Sequence, residues 1–310
     1  MTFIVTHPLD RHDAAVVKSM REISRPGKGT LRSIEARDAF DARIEKTLPR
    51  GDVEFETGAV GGVSGVWVLP ERQINPEAAI LHLHSGWFQF GSAKPFRHFV
   101  GHIAARVGAK AFIPEYRLSP ENPFPAAIED ALASYRGLCE SGVRRIGVIG
   151  DSAGGNLALG LASRVREEPI ADALVGVAAL SPVTDLSLSG ESYVTRADIE
   201  PYSTREQVAE LMRSYLGGAD PKHPLASPLF GPLSGLPPIR IHVGDDEILL
   251  DDSRRYVERA VAAGVDARLD IWLGMIHGFA RYVGDLNAAS LALDDIGAFL
   301  AQQLRAPQRQ

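Results

Sequence analysis

The chain has 310 residues, 45% apolar and 23% charged, a balance that fits a large globular unit and excludes a disordered or fibrous chain. It lacks the run of about 18 apolar residues that a membrane span needs. Its net charge of −6, without a basic cluster, argues against nucleic acid as a partner. The single cysteine, Cys139, rules out an internal disulfide, and residues 1–18 lack the apolar core of a secretory signal; together these predict a cytoplasmic location.

Residues 1–50 read as helical. Windows 13–21 and 33–48 carry apolar residues at three and four spacings, separated by the break Arg25-Pro26-Gly27-Lys28-Gly29. Short β-rich runs follow at 53–55, 63–69 and 79–84, punctuated by Gly61-Gly62 and a polar turn at 70–76. Strands then alternate with helices: helix 96–107, strand 110–114, helix 125–139, strand 145–150, helix 153–166, strand 173–180. This alternation predicts an α/β fold with a mostly parallel central sheet and helices on both faces. The early short strands predict an antiparallel edge. Residues 185–235 interrupt the pattern with one helical window, 203–216, and several proline and glycine turns; an insertion this long is commonly a lid. The pattern resumes with strand 239–243, helix 250–263, strand 267–272 and helix 288–304, and ends in a polar tail. The predicted division is N-terminal cap helices over 1–50, a catalytic core over 51–184 and 236–310, and a cap insertion over 185–235.

Gly150-Asp151-Ser152-Ala153-Gly154 stands between a strand and a helix and fits G-x-S-x-G. Such a turn holds its serine in a strained conformation, so the neighbouring side chains must be small. The hydroxyl of Ser152 then stands clear at the head of the helix, and the Ala153 amide points at the same space. A serine nucleophile needs a base, and the base an orienting acid. Of nine histidines, His82 and His242 lie inside strands, and His7, His12 and His223 in polar or proline-rich surroundings. His98 and His102 share a helix face without a third ligand, so no metal site is expected. His277 lies in the loop between the last strand and the last helix, where an open α/β sheet places its chemistry. The acid belongs on the loop after the preceding strand, where Asp245, Asp246 and Glu247 compete; Asp251 and Asp252 suit the first turn of the next helix. The segment from His82 to Ser92 offers Gly86, whose freedom lets backbone N–H groups turn toward a developing oxyanion.

Taken together these residues resemble the bacterial hormone-sensitive-lipase-like esterases of the α/β-hydrolase superfamily. His84-Ser85-Gly86-Trp87 stands where that family has His-Gly-Gly-Gly. Tyr116-Arg117-Leu118-Ser119-Pro120-Glu121 matches its Tyr-Arg-Leu-Ala-Pro-Glu block, and the elbow and Ile276-His277-Gly278-Phe279 match as they stand. The resemblance runs from about residue 50 to the end. It implies an α/β-hydrolase fold with a helical cap and a serine carboxylesterase acting on short-chain esters. It implies a Ser152, His277 and acid triad, and an oxyanion hole from the amides of Gly86, Trp87 and Ala153. The family's aspartate, counted back from His277 without a gap, falls on Glu247; a one-residue slip would give Asp246. No cofactor is implied.

Trp87 departs from the family's glycine. It should narrow the acyl side of the pocket, with Trp87 and Phe88 as substrate contacts, and puts the family's tolerance of tertiary-alcohol esters in doubt. The resemblance further assigns Arg117, Glu121 and Asp130 to the loop behind the site, and suggests a homodimer paired near the last strand. Tyr193, Tyr202 and Tyr215 either shape the pocket or form the cap's own core. An amidase, aryl formamidase or lactonase would use the same triad. A ligand-binding protein on this fold would have lost a triad member, and here all three are present.

Overall fold

The computed structural model describes residues 3–305. Its centre is a nine-stranded sheet in the order β1-β9-β8-β7-β6-β4-β5-β3-β2. The strands are β1 (Ile4–His7), β2 (Val53–Val60), β3 (Val63–Pro70), β4 (Ala78–Leu83), β5 (Lys110–Pro114), β6 (Arg145–Asp151), β7 (Leu174–Leu180), β8 (Ile239–Gly244) and β9 (Ala267–Trp272). Strands β4 and β6 to β9 pair in parallel. Almost every residue of these strands is buried, as a sheet covered on both faces requires. The antiparallel edge lies where expected: β2 pairs with β3, and β3 with β5. Val60 opposes Val63, so Gly61 and Gly62, at φ 60° and 80°, form a two-residue hairpin turn that favours glycine at both positions.

Among the described residues eight longer helices and one short one accompany the sheet: α1 (Arg11–Ser24), α2 (Arg37–Ile44), α3 (Ala93–Val107), α4 (Ala126–Glu140), α5 (Ala153–Val165), α6 (Ser192–Thr195), α7 (Arg205–Leu216), α8 (Leu250–Ala262) and α9 (Asn287–Arg305). Helix α5 follows the elbow and is buried along most of its length; its glycines and alanines let it lie directly against the sheet. The insertion's main helix, α7, starts at Thr204, whose hydroxyl accepts from the Gln207 amide at 3.2 Å, and ends at Gly217 in the left-handed region.

The N-terminal region differs from its predicted all-helical form. Ile4–His7 is a strand, paired in parallel with Leu269–Trp272. Four residues are too few to show a period, and their partner lies at the other end of the chain. The second predicted helix is also shorter: Ile34–Ala36 is a 3₁₀ turn and α2 stops at Ile44. Strand β1 covers β9, so the sheet edge beyond the last strand is β1 itself. The polar tail over 306–310 lies outside the described residues.

The N-terminal segment and the insertion pack on each other. The Gly29 amide donates to Tyr202 O at 2.9 Å and Gln207 Nε2 to Leu31 O at 2.6 Å, while Lys28 Nζ donates to Ala197 O at 2.5 Å. The insertion is tied to the core through Asn156 of α5, whose amide donates to Val183 O and Ala226 O at 2.9 and 2.8 Å.

Candidate active site

Four loops leave the same ends of neighbouring parallel strands: those after β4, β6, β8 and β9. Ser152 stands at the turn from β6 into α5 with φ 57° and ψ −116°, a strained conformation for a non-glycine residue. The small residues around it are a packing necessity. A Cβ on Gly150 would sit 2.1 Å from Gly154 O, and one on Gly154 1.9 Å from Leu83 O. The serine amide donates to Leu180 O at 2.8 Å, which anchors the turn to β7.

His277 and Glu247 complete a hydrogen-bonded line. His277 Nε2 lies 3.1 Å from Ser152 Oγ, and its Nδ1 lies 2.7 Å from Glu247 Oε2. Glu247 is fully buried. Its other oxygen, Oε1, accepts from the Gly244 amide at 2.6 Å and from Ser181 Oγ at 2.7 Å. Both bonds fix the orientation of the carboxylate, as an orienting acid needs. The competing acids point elsewhere: Asp246 pairs with Arg21 of α1, and Asp245 Oδ1 lies 3.3 Å from Arg196 Nη2. Asp251 accepts from the Ser192 amide and Asp252 from those of Thr184 and Asp185, so both tie the insertion to α8.

The turn after β4 has an unusual backbone. Gly86, Trp87 and Phe88 lie at φ 130°, 51° and 62°. A Cβ on Gly86 would sit 2.0 Å from Phe90 O, so only glycine fits there. Among the described residues neither the Gly86 nor the Trp87 amide donates to a protein backbone acceptor, and the Ala153 amide is the first N–H of α5, without an intrahelical partner. Among the described residues all three amides are thus left without a protein backbone acceptor. The Trp87 ring lies 6.4 Å, centroid to centroid, from that of His277. Phe88, read as a substrate contact, is instead wholly buried with its ring stacked on Tyr215 at 3.8 Å, so its side chain is packing. Tyr193 and Tyr215 are likewise buried as core of the insertion, while Tyr202 is part-exposed, its hydroxyl 3.2 Å from that of Tyr282.

Beneath the site lies a network that sequence reasoning missed. Asp151 accepts from Arg281 Nη1 at 2.5 Å, and the same nitrogen lies 3.2 Å from Ser85 Oγ. This buried pair links the elbow, the turn after β4 and the histidine loop. Arg281 stands four positions after His277 with no motif to mark it. His82 and His84 flank the pair, wholly buried, and desolvation pulls each down to about 4, so both are neutral. His84 is fixed by Tyr116, which stacks on it at 4.1 Å and donates its hydroxyl to His84 O at 2.8 Å. The predicted support loop is rearranged in one respect. Arg117 does clasp Asp130, Nε to Oδ2 at 2.9 Å, but Glu121 pairs with Arg37 of α2.

His98 faces Glu45, and His102 Nε2 lies 2.8 Å from Leu48 O. Among the described residues one cluster has metal-ligand composition, His242, Asp270 and Asp295, but neighbouring side chains already engage it. Trp272 Nε1 can only donate, and it donates to His242 Nδ1 at 3.1 Å. His242 Nε2 lies 3.2 Å from Asp295 Oδ2 without the alignment of a hydrogen bond. Arg268 already bridges the two carboxylates. The cluster is a structural ion network at the back of β8 and β9. Cys139 lies buried on α4, its thiol pushed up by desolvation, and takes no part in the site.

Comparison with known proteins agrees with this fold. The profile of the alpha/beta hydrolase fold family matches residues 80–281. An acetyl-hydrolase from Streptomyces hygroscopicus is 37% identical over 281 residues, 89% of this chain and 91% of that protein. An esterase from Acinetobacter venetianus is 34% identical over 250 residues, 80% of this chain and 82% of that one. The solved structure of an esterase from the bacterial hormone-sensitive lipase family superposes with a TM-score of 0.87 at 35% identity, covering 96% of this chain and 99% of that one.

Proposed function

The chain belongs to the α/β-hydrolase fold family, in its bacterial hormone-sensitive-lipase branch, and from that premise we propose how Ser152, His277 and Glu247 carry out its reaction. The protein is a carboxylic ester hydrolase whose substrates are small esters. The observation that carries the assignment is the unbroken line Ser152 Oγ, His277 Nε2, His277 Nδ1, Glu247 Oε2, at 3.1 and 2.7 Å.

Ser152 Oγ attacks the ester carbonyl while His277 Nε2 takes its proton. Glu247 holds the Nδ1–H tautomer beforehand and stabilises the imidazolium afterwards. The carbonyl oxygen becomes an oxyanion and receives N–H bonds from Gly86, Trp87 and Ala153. Each such donor is worth on the order of 100- to 1000-fold in rate. Collapse expels the alcohol, which takes the proton from His277. A water then gives up its proton to His277 and attacks the acyl-enzyme, and Ser152 is restored as the acid leaves.

Residues 1–50 and 185–235 form the cap in this reading, supported by the bonds that join them to each other. Trp87, beside the histidine, limits the acyl group to short chains. The lone buried Cys139 thiol supports the reading of a cytoplasmic location. We place the homodimer contact at β1, which occupies the edge beyond β9; sedimentation of the wild type against a Val5→Lys variant tests it. The functional test is hydrolysis of p-nitrophenyl esters from acetate to laurate, with an aryl formamide alongside and Ser152→Ala as control. Short esters are expected to turn over, and only with Ser152 present. Cleavage of the formamide alone would replace the esterase with an amidase on the same triad.

A further inference from the structure

The turn after β4 holds two consecutive non-glycine residues, Trp87 and Phe88, in the left-handed region. Such a pair persists only where its surroundings over-determine it. Within the turn, Gly86 O accepts from the amides of Gln89 and Phe90 at 2.9 and 2.8 Å. The remaining restraints come from outside the turn. Phe88 O accepts from the Ser119 amide at 2.9 Å and from Ser119 Oγ at 3.2 Å. Arg37 then locks the two segments together. Its Nε donates to Gln89 O at 2.7 Å and its Nη2 to Ser119 O at 3.0 Å, while Nη1 and Nη2 hold Glu121 at 2.7 and 2.8 Å. One planar guanidinium thus serves four acceptors, a geometry that a lysine ammonium cannot copy.

Arg37 lies on α2, outside the stretch matched by the family profile. We propose that Arg37 is a positioning residue for the oxyanion turn: by clamping Gln89 O to Ser119 O it holds Trp87 and Phe88 in the strained conformation that aims the Gly86 and Trp87 amides. The N-terminal segment then contributes to turnover and is more than a cover. This rests on the reading of those amides as the oxyanion hole.

The test uses the full chain with Arg37→Met, Arg37→Lys and Glu121→Gln. The readouts are kcat and KM on p-nitrophenyl butyrate, inhibition by an alkyl trifluoromethyl ketone, and Tm. The ketone adds Ser152 Oγ to its carbonyl and leaves an oxyanion in the hole, so its affinity reports the donors directly. Arg37→Met is expected to lower kcat about tenfold or more with KM within about twofold, and to weaken the ketone in parallel. Arg37→Lys should fall close to it. Glu121→Gln should stay within about twofold of wild type, since the bonds to Gln89 O and Ser119 O remain. Wild-type kcat and ketone affinity in a folded Arg37→Met or Arg37→Lys protein would overturn the proposal. So would equal losses in Arg37→Met and Glu121→Gln, the behaviour of a plain ion pair. Should Arg37→Met fail to fold, Arg37→Lys decides alone. Failure of the site reading shows separately, as a wild-type enzyme that the ketone does not inhibit.

Discussion

Replacing Glu247 by glutamine should disable the base without disturbing the fold, because of how its two oxygens are committed. Oε1 accepts from both the Gly244 amide and Ser181 Oγ, and Oε2 faces His277 Nδ1. A glutamine offers one acceptor oxygen and one NH₂ group. Two donors hold the oxygen at the first position, so the NH₂ group is left facing Nδ1. The imidazole must then accept at Nδ1 and carry its proton on Nε2, where it can no longer take the proton of Ser152. Loss of the correct tautomer in a related triad costs about 10⁴-fold, roughly 5 kcal/mol in the barrier. Glu247→Gln is therefore expected to lose 10³- to 10⁴-fold in kcat on p-nitrophenyl acetate, with little change in KM. Asp246→Asn should stay within a few-fold, since Asp246 faces Arg21. Steady-state kinetics on both variants decides the matter. A greater loss in Asp246→Asn, or near wild-type turnover in Glu247→Gln, would refute this assignment of the acid.

Two further outcomes follow from the same geometry. Trp87→Gly keeps the backbone N–H and suits φ 51°, so it should retain p-nitrophenyl acetate turnover while admitting bulkier esters; comparing acetates of primary and tertiary alcohols measures this, and loss of all turnover would contradict it. His82 and His84 are held down at about 4 by burial, against 6.5 when exposed. Their contribution is complete above pH 6.5, where both states bind no proton. It is lost as pH falls toward 4, because the unfolded chain takes up protons that the native one refuses. A gap of this size is worth about 3 kcal/mol per histidine, so Tm should fall steeply between pH 6.5 and 4, and a flat Tm down to pH 5 would argue against it.

Ser152, His277 and the turn carrying Gly86 were legible as candidates because each sits in a local pattern set by neighbours in sequence. The elbow needs small residues around Ser152, and the α/β alternation places the loops after β8 and β9 on the same side as Ser152. The acid was less legible. Three adjacent carboxylates look alike in sequence, and only their partners, Arg196, Arg21 and His277, tell them apart. Strand β1, Arg37, Ser181 and Arg281 were not legible for a common reason. Each acts through a partner far along the chain: β9 for β1, Gln89 for Arg37, Glu247 for Ser181, Asp151 for Arg281. Ser181 had the best chance of being found, since it stands at the end of β7, beside the strand that carries the acid. Phe88 differs from its expected role: an aromatic beside the turn after β4 suggests a substrate contact, whereas Tyr215 of the insertion already covers its ring.

Labelling with diethyl p-nitrophenyl phosphate tests the central claim most directly. The serine oxygen displaces p-nitrophenolate and keeps the phosphoryl group, so absorbance counts the reactive sites and peptide mass mapping locates them. The account predicts one p-nitrophenolate released per chain, the label on Ser152, loss of esterase activity in proportion, and no label in Ser152→Ala. Persistent ester turnover after complete labelling, or the label on a different residue, would contradict it.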